Sequence, residues 1–127
     1  MAGAQQIAQQ FVQQYYSTFD QNRQGVAAFY QAQSRLTFEG QTFEGPQAIL
    51  GKLMSLGGAS GAAKVVHQAK TLDVQPGATN NAMLVFVSGD LSIDGAPPLK
   101  FAQVFQLVQT GPQAFYVHND LFRLNYS

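Results

Sequence analysis

Residues 36–53 read LTFEGQTFEGPQAILGKL, a run that places a hairpin, a helix start and a solvent-seeking carboxylate in immediate succession. Leu36, Thr37 and Phe38 favour a strand, Glu39-Gly40 can reverse the chain, and Gln41, Thr42 and Phe43 can pair back on the first strand. Gly45-Pro46 then stops the second strand and opens a helix, because the N–H that proline lacks has no partner at the first helical position anyway. Ala48, Ile49, Leu53 and Leu56 give that helix one apolar face.

Upstream, the glutamine pairs Gln5-Gln6, Gln9-Gln10 and Gln13-Gln14 alternate with Ile7-Ala8, Phe11-Val12 and Tyr15-Tyr16. A repeat of four drifts by about 40° per step around a helix, so the apolar stripe suits a helix lying obliquely across a curved sheet. Phe19 extends the stripe, and the helix ends between Asp20 and Asn22. Asn22 can cap a second short helix through Val26, Ala27, Ala28, Phe29 and Tyr30.

Downstream, Gly57, Gly58, Ser60 and Gly61 form a flexible connection with nothing to bury. Four β-rich runs follow: Lys64 to Val74, Ala82 to Ile93, Leu99 to Thr110 and Ala114 to Tyr126. The breaks between them are rich in Pro, Gly, Asn and Asp, which turns require, so sequential hairpins and an antiparallel sheet are expected. Met83, Val85, Val87, Leu91 and Ile93 line one face of the second run, yet Leu84 and Phe86 make the other face apolar too. Val104 and Val108 repeat this in the third run, and Leu121 stands opposite Phe122 and Leu124 in the fourth. The helices can cover one face of a bent sheet. A second copy of the chain is the economical cover for the other, so a homodimer through the sheet is expected.

Composition narrows the function classes. At 127 residues the chain reads as one domain, 1–127, of α+β class. Seven basic and seven acidic residues balance, which removes the broad positive field that nucleic acid or an anionic membrane surface attracts. Without cysteine and with two histidines, His67 and His118, no metal site or cofactor is expected. MAGAQQIAQQ has neither the positive start nor the apolar run of a signal peptide, and no run approaches the roughly eighteen apolar residues of a membrane span, so a soluble intracellular protein is expected.

Particular residues go further than the pattern. Phe11, Tyr15-Tyr16, Phe19-Asp20, Leu36 to Glu39, Ile49, Lys52-Leu53, Ser55-Leu56, His67, Leu72-Asp73, Gln75-Pro76, Gly89 to Leu91, Asp94, Phe101, Gln103, Phe105 and the closing run Asn119 to Ser127 together resemble the nuclear transport factor 2 family almost end to end. The resemblance implies a cone-like fold in which three N-terminal helices pack in a strongly bent antiparallel sheet. It implies a homodimeric carrier without catalytic activity, which binds the GDP form of the GTPase Ran and contacts phenylalanine-glycine repeat nucleoporins. Such a carrier moves between cytoplasm and nucleus through the pores of the nuclear envelope. By the same resemblance Phe38 lines the mouth of a hydrophobic cavity that accepts an aromatic side chain of Ran, and Glu39 and Asp94 pair with Ran's basic groups. Asp20 belongs to the repeat-binding site, while Phe86 and Leu121 fall where the family places its subunit contact.

The sequence departs from the family at three places. Ala96 replaces a second acid near Asp94, Ala4 replaces an aromatic at the start of the first helix, and Gly57 to Ala63 replaces a shorter segment that contains Pro-Phe. Two other readings stay open. Asp120, His118, Tyr15 and Tyr16 offer the residue types of a cone-fold isomerase or dehydratase, with a carboxylate or imidazole base and phenolic donors. The third is a dimerisation module without a ligand.

Overall fold

The computed structural model describes residues 3–56 and 63–125. Helix α1 spans Ala4–Gln21, and a 3₁₀ segment, Arg23–Phe29, leads into strand β1, Tyr30–Phe38. Strand β2, Gln41–Glu44, and helix α2, Pro46–Met54, complete the first half. The long strands follow as β3, Val65–Pro76, β4, Ala82–Ile93, β5, Leu99–Gly111, and β6, Ala114–Asn125. Residues 57–62, where the flexible connection was expected, lie outside the described residues.

The expected second short helix forms as the 3₁₀ segment, but Tyr30 opens β1 instead of closing that helix. Tyr30 to Arg35 carry little strand propensity, but tertiary pairing overrides it: β1 lies against β6, with Leu36 beside Asp120 and Phe38 beside Phe122. That pairing is parallel, so the sheet is mixed rather than wholly antiparallel. β1 and β6 are not joined by a hairpin, and nothing local constrains their relative direction. The other pairings are antiparallel, in the order β2-β1-β6-β5-β4-β3.

The helices cover one face of this sheet. Ala8, Phe11, Val12, Tyr15, Tyr16 and Phe19 are buried along the α1 stripe, against Met83, Val85 and Val87 of β4 and Phe101, Phe105 and Leu107 of β5. Each such side chain contributes about 1.5–3 kcal/mol by leaving water, so the stripe holds α1 in place with no side-chain cap at its start. At the β3–β4 contact a Cβ on Gly89 would lie 2.0 Å from the Gln68 carbonyl oxygen, beside the register shift between Ala69 and Thr71. Only glycine lets β4 pass that bulge.

Among the described residues no helix covers the opposite face. Phe86, Val104 and Leu121 stand in one transverse row through the β4–β5 and β5–β6 registers. Leu84, Phe86 and Leu121 are 41%, 40% and 51% exposed, as the double-faced apolar pattern predicts.

Candidate functional site

Strand registers bring the candidate contact residues to one end of the sheet. Phe38 at the end of β1 lies beside Phe122, Lys100 pairs with Asn125, and Leu91 pairs with Leu99. The turn after β1 and the turn after β4 therefore project from the same end. Glu39 (φ 51°) and Gly40 (φ 88°) are the central residues of the first, and Asp94 (φ 53°) and Gly95 (φ 75°) of the second. Positive φ at both central positions is the mark of a type I′ hairpin turn, so each acid occupies a turn tip.

The two acids are anchored differently. The Glu39 carboxylate accepts a hydrogen bond from the Leu124 N–H, and the Glu39 N–H donates to the Phe122 carbonyl at 3.0 Å. The Asp94 Oδ1 accepts from the Lys64 N–H at 2.7 Å, while the Asp94 N–H returns a bond to the Lys64 carbonyl at 2.7 Å. Turn and contact roles are compatible, because a carboxylate that accepts one bond retains further lone pairs.

Phe38, next to the first of these turns, also walls an enclosed, largely apolar cavity with Phe19, Leu36, Leu53, Leu56 and Phe122, which Tyr15, His67 and Gln103 also reach. Phe38 and Phe122 stack at 4.6 Å with planes 7° apart, and Phe101 continues the stack at 5.6 Å. Phe38 is 5% exposed, so it forms part of the wall rather than a free surface aromatic. The space left is about 10 Å³, room for about one water. An entering side chain must move the wall.

Two cations to which the sequence reading gave no role stand beside this cavity. Arg23, nearly buried, donates Nη1 to the carbonyls of Leu53 at 3.2 Å and Leu56 at 3.1 Å, and Nη2 to the Ala63 carbonyl. Burial lowers its pKa, with Asp20 and Asp94 opposing the shift. Its only sequence signal is a lone arginine in a short apolar segment. Lys52 of α2 holds its ammonium 5.2 Å from the Phe38 ring centroid and 6.0 Å from that of Phe43.

Asp20 and Ala4 do not form one site within a chain. They stand at opposite ends of α1, about 24 Å apart along its axis. The Asp20 carboxylate instead fastens α1 to β3, accepting from the His67 N–H at 2.8 Å and meeting His67 Nδ1 at 2.7 Å. A groove of about 530 Å³ passes these residues between α1 and β3, lined also by Gln9, Gln13 and Lys70.

The candidate catalytic set is only partly assembled. Asp120 accepts from the Tyr30 hydroxyl at 2.8 Å and from Gln103 Nε2 at 2.8 Å, Tyr16 donates to Gln103 Oε1 at 2.7 Å, and the Tyr15 and Tyr30 hydroxyls are 2.5 Å apart. His118 stays outside, with its Nδ1 3.2 Å from the Tyr116 hydroxyl. It falls at the register shift where Gln106 pairs with Asn119 but Leu107 pairs with Val117. Burial raises the pKa of Asp120 to about 6, against the opposing hydrogen bonds from Gln103 and Tyr30. Burial also raises the three tyrosines well above the ordinary phenol value, so they remain donors at neutral pH. Among the described residues no His, Cys, Asp and Glu cluster could hold a metal ion, and no helix is long and apolar enough to cross a membrane.

The family model described as "Nuclear transport factor 2 (NTF2) domain" matches residues 7–124. The chain belongs to that family. It is 50% identical to nuclear transport factor 2 of Oryza sativa subsp. japonica, covering 97% of this chain and 98% of that one. To nuclear transport factor 2B of Arabidopsis thaliana it is 48% identical, covering 95% and 94%. The solved nuclear transport factor 2 from Cryptosporidium parvum superposes with a TM-score of 0.87 at 43% identity, over 98% of this chain and 96% of that chain. The cone-like α+β fold expected from the sequence is therefore the family fold.

Proposed function

We propose that this nuclear transport factor 2 domain acts as a non-enzymatic nuclear import carrier: a homodimer that binds Ran in its GDP form and travels through pores on phenylalanine-glycine repeats. The observation that carries the reading is the gathering, at one end of the sheet, of an aromatic-walled cavity with Phe38 in its wall and two turn-tip acids, Glu39 and Asp94. An aromatic anchor entering that cavity supplies affinity through desolvated area, and the two carboxylates select a partner with basic groups around the anchor. Named relatives at this identity over nearly full length support a transport role.

Phe86 and Leu121 are the centre of the dimer contact, since their exposed row is the large apolar surface left by the helices. Asp20 takes part in repeat binding beside the α1–β3 groove. Because Ala4 lies at the far end of α1, a repeat that touches both positions bridges two protomers. The buried polar network works against an isomerase or dehydratase reading, because Asp120 is already bonded to Tyr30 and Gln103. Calorimetric titration of the purified protein with Ran loaded with GDP and, separately, with GTP tests the proposal. Binding to the GDP form alone is expected, and binding to neither overturns it.

A further inference from the structure

We propose that a second repeat-docking groove runs along the other flank of α1, where an uncharged peptide seats a phenylalanine ring among Phe11, Phe29 and Phe115. The inference rests on the carrier reading and adds a site apart from both the cavity end and the groove beside Asp20.

The groove measures about 830 Å³, within the range of sites that take a ligand of a few side chains. Ile7 and Phe11 of α1 and Phe29 of the 3₁₀ segment line it from one side, and Phe115 lines it from the β5–β6 hairpin. Phe11 and Phe29 meet edge to face, with centroids 5.6 Å apart and planes at 79°. Phe115 has no ring partner among the described residues. Ile7, Phe29 and Phe115 are only half-buried, so each has apolar surface left to remove from water. A ring that enters among these side chains gains the edge-to-face or offset contacts that aromatic pairs prefer.

Charge decides the class of occupant. No residue lining this groove is charged, whereas the α1–β3 groove holds Asp20, His67 and Lys70, and a hollow on the helix-free sheet face holds Arg35. A charged peptide would leave its water here without meeting a counter-charge, so the groove discriminates against it. Gln10, Gln14 and Gln113 are exposed along the lining, and their side-chain amides have no hydrogen-bond partner among the described residues. Each amide donates and accepts, as a peptide backbone does, so the rim can bond the main chain of a neutral segment whatever its sequence. An aromatic seat with a neutral amide rim fits a phenylalanine spaced by small uncharged residues, not the basic groups that Glu39 and Asp94 select. Gln9 and Gln13 line the groove on one flank of α1, and Gln10 and Gln14 line the other. Two docks on one protomer raise the avidity for a chain that carries many repeats.

An NMR titration of the isotope-labelled protein with a synthetic peptide, two Phe-Gly dipeptides joined by an uncharged serine-threonine spacer, tests this. Amide shifts are expected at Gln10, Ala28 and Gln113. Ala28→Glu puts a charge at an exposed position of the lining, and Phe115→Ala removes a ring. Each should weaken the affinity read at those amides by about fivefold or more. Gln24→Glu adds the same charge at an exposed position of the same segment outside the groove, and should stay within about twofold of wild type. Melting curves confirm the fold of each variant, and Ala28→Glu carries the test if Phe115→Ala does not fold. Shifts confined to the α1–β3 side, or an affinity that Ala28→Glu leaves unchanged, overturn this inference and leave the carrier reading standing. Equal weakening by Gln24→Glu also overturns it, since net charge would then account for the effect. A wild type that binds Ran-GDP but shows no shift with the peptide overturns this inference together with the repeat-binding part of the carrier reading.

Discussion

The rings of Phe38 and Phe122 lie 4.6 Å apart and 7° from parallel, and this stack joins β1 to β6 across the parallel step of the sheet. It also closes the cavity, so the residue that the proposed anchor must pass is itself held by packing. Phe38→Ala therefore acts on both stability and recognition. We expect it to fold but to lose about 3 kcal/mol of stability, at the low end for a buried phenylalanine because the site is at the rim. Binding to Ran-GDP should weaken by at least about 1 kcal/mol. Urea denaturation and calorimetry on the same preparation separate the effects, and unchanged affinity would remove Phe38 from the proposed site.

Leu121 makes the converse case. It is 51% exposed on the bare sheet face, in register with Val104 and then Phe86. Leu121→Glu should leave protomer stability within about 1 kcal/mol, since about half of the residue is already exposed within the described residues. In a dimer, the same glutamate is buried without a partner, a cost of several kcal/mol. Sedimentation equilibrium should show monomers. A dimer that survives the change places the contact on another face.

The long strands were legible because turn residues punctuate them and alternation marks their faces: β4 occupies Ala82–Ile93 as expected, and Leu84 and Phe86 are exposed as its second apolar face requires. The turn tips were legible too, since glycine follows both Glu39 and Asp94. The first half of β1 was not, because Tyr30 to Arg35 take their extended form from β6, a strand that arrives some ninety residues later. Arg23, Lys52 and Gln103 act through groups distant in sequence: the carbonyls after α2, the ring of Phe38, and the carboxylate of Asp120. No local period encodes such contacts.

Arg23 is the least replaceable of these. Its guanidinium holds the carbonyls at the end of α2 together with that of Ala63 at the entry to β3, and its cation also lies 5.6 Å from the Phe19 ring centroid. Arg23→Met keeps the stem and leaves those carbonyls without their donor. A loss of about 2–3 kcal/mol is expected, since hydrogen bonds from a charged donor are lost at a nearly buried site. Hydrogen exchange should quicken first in α2. Uniform protection throughout the chain, with stability unchanged, would contradict the role given to Arg23.

Asp120 ties stability to pH with a sign opposite to that of most carboxylates. Burial raises its folded pKa to about 6 from an ordinary value of 3.8, so the native state holds the proton more tightly than the unfolded chain does. The stabilisation is fully present below about pH 4 and is lost as pH rises through about 6, amounting to about 3 kcal/mol at neutral pH. The groups facing the carboxyl are the Tyr30 hydroxyl and the Gln103 amide, with the Tyr15 and Tyr16 phenols behind them, all neutral at these pH values. Asp120→Asn replaces the acid by a neutral group of the same shape, and the amide of Gln103 can turn to accept where it formerly donated. The difference in unfolding free energy between variant and wild type should therefore shift in favour of the variant between about pH 4 and 7, by up to about 3 kcal/mol. Denaturant titrations of both proteins across this range check the sign, and a difference that stays constant with pH would show that Asp120 does not change protonation on folding.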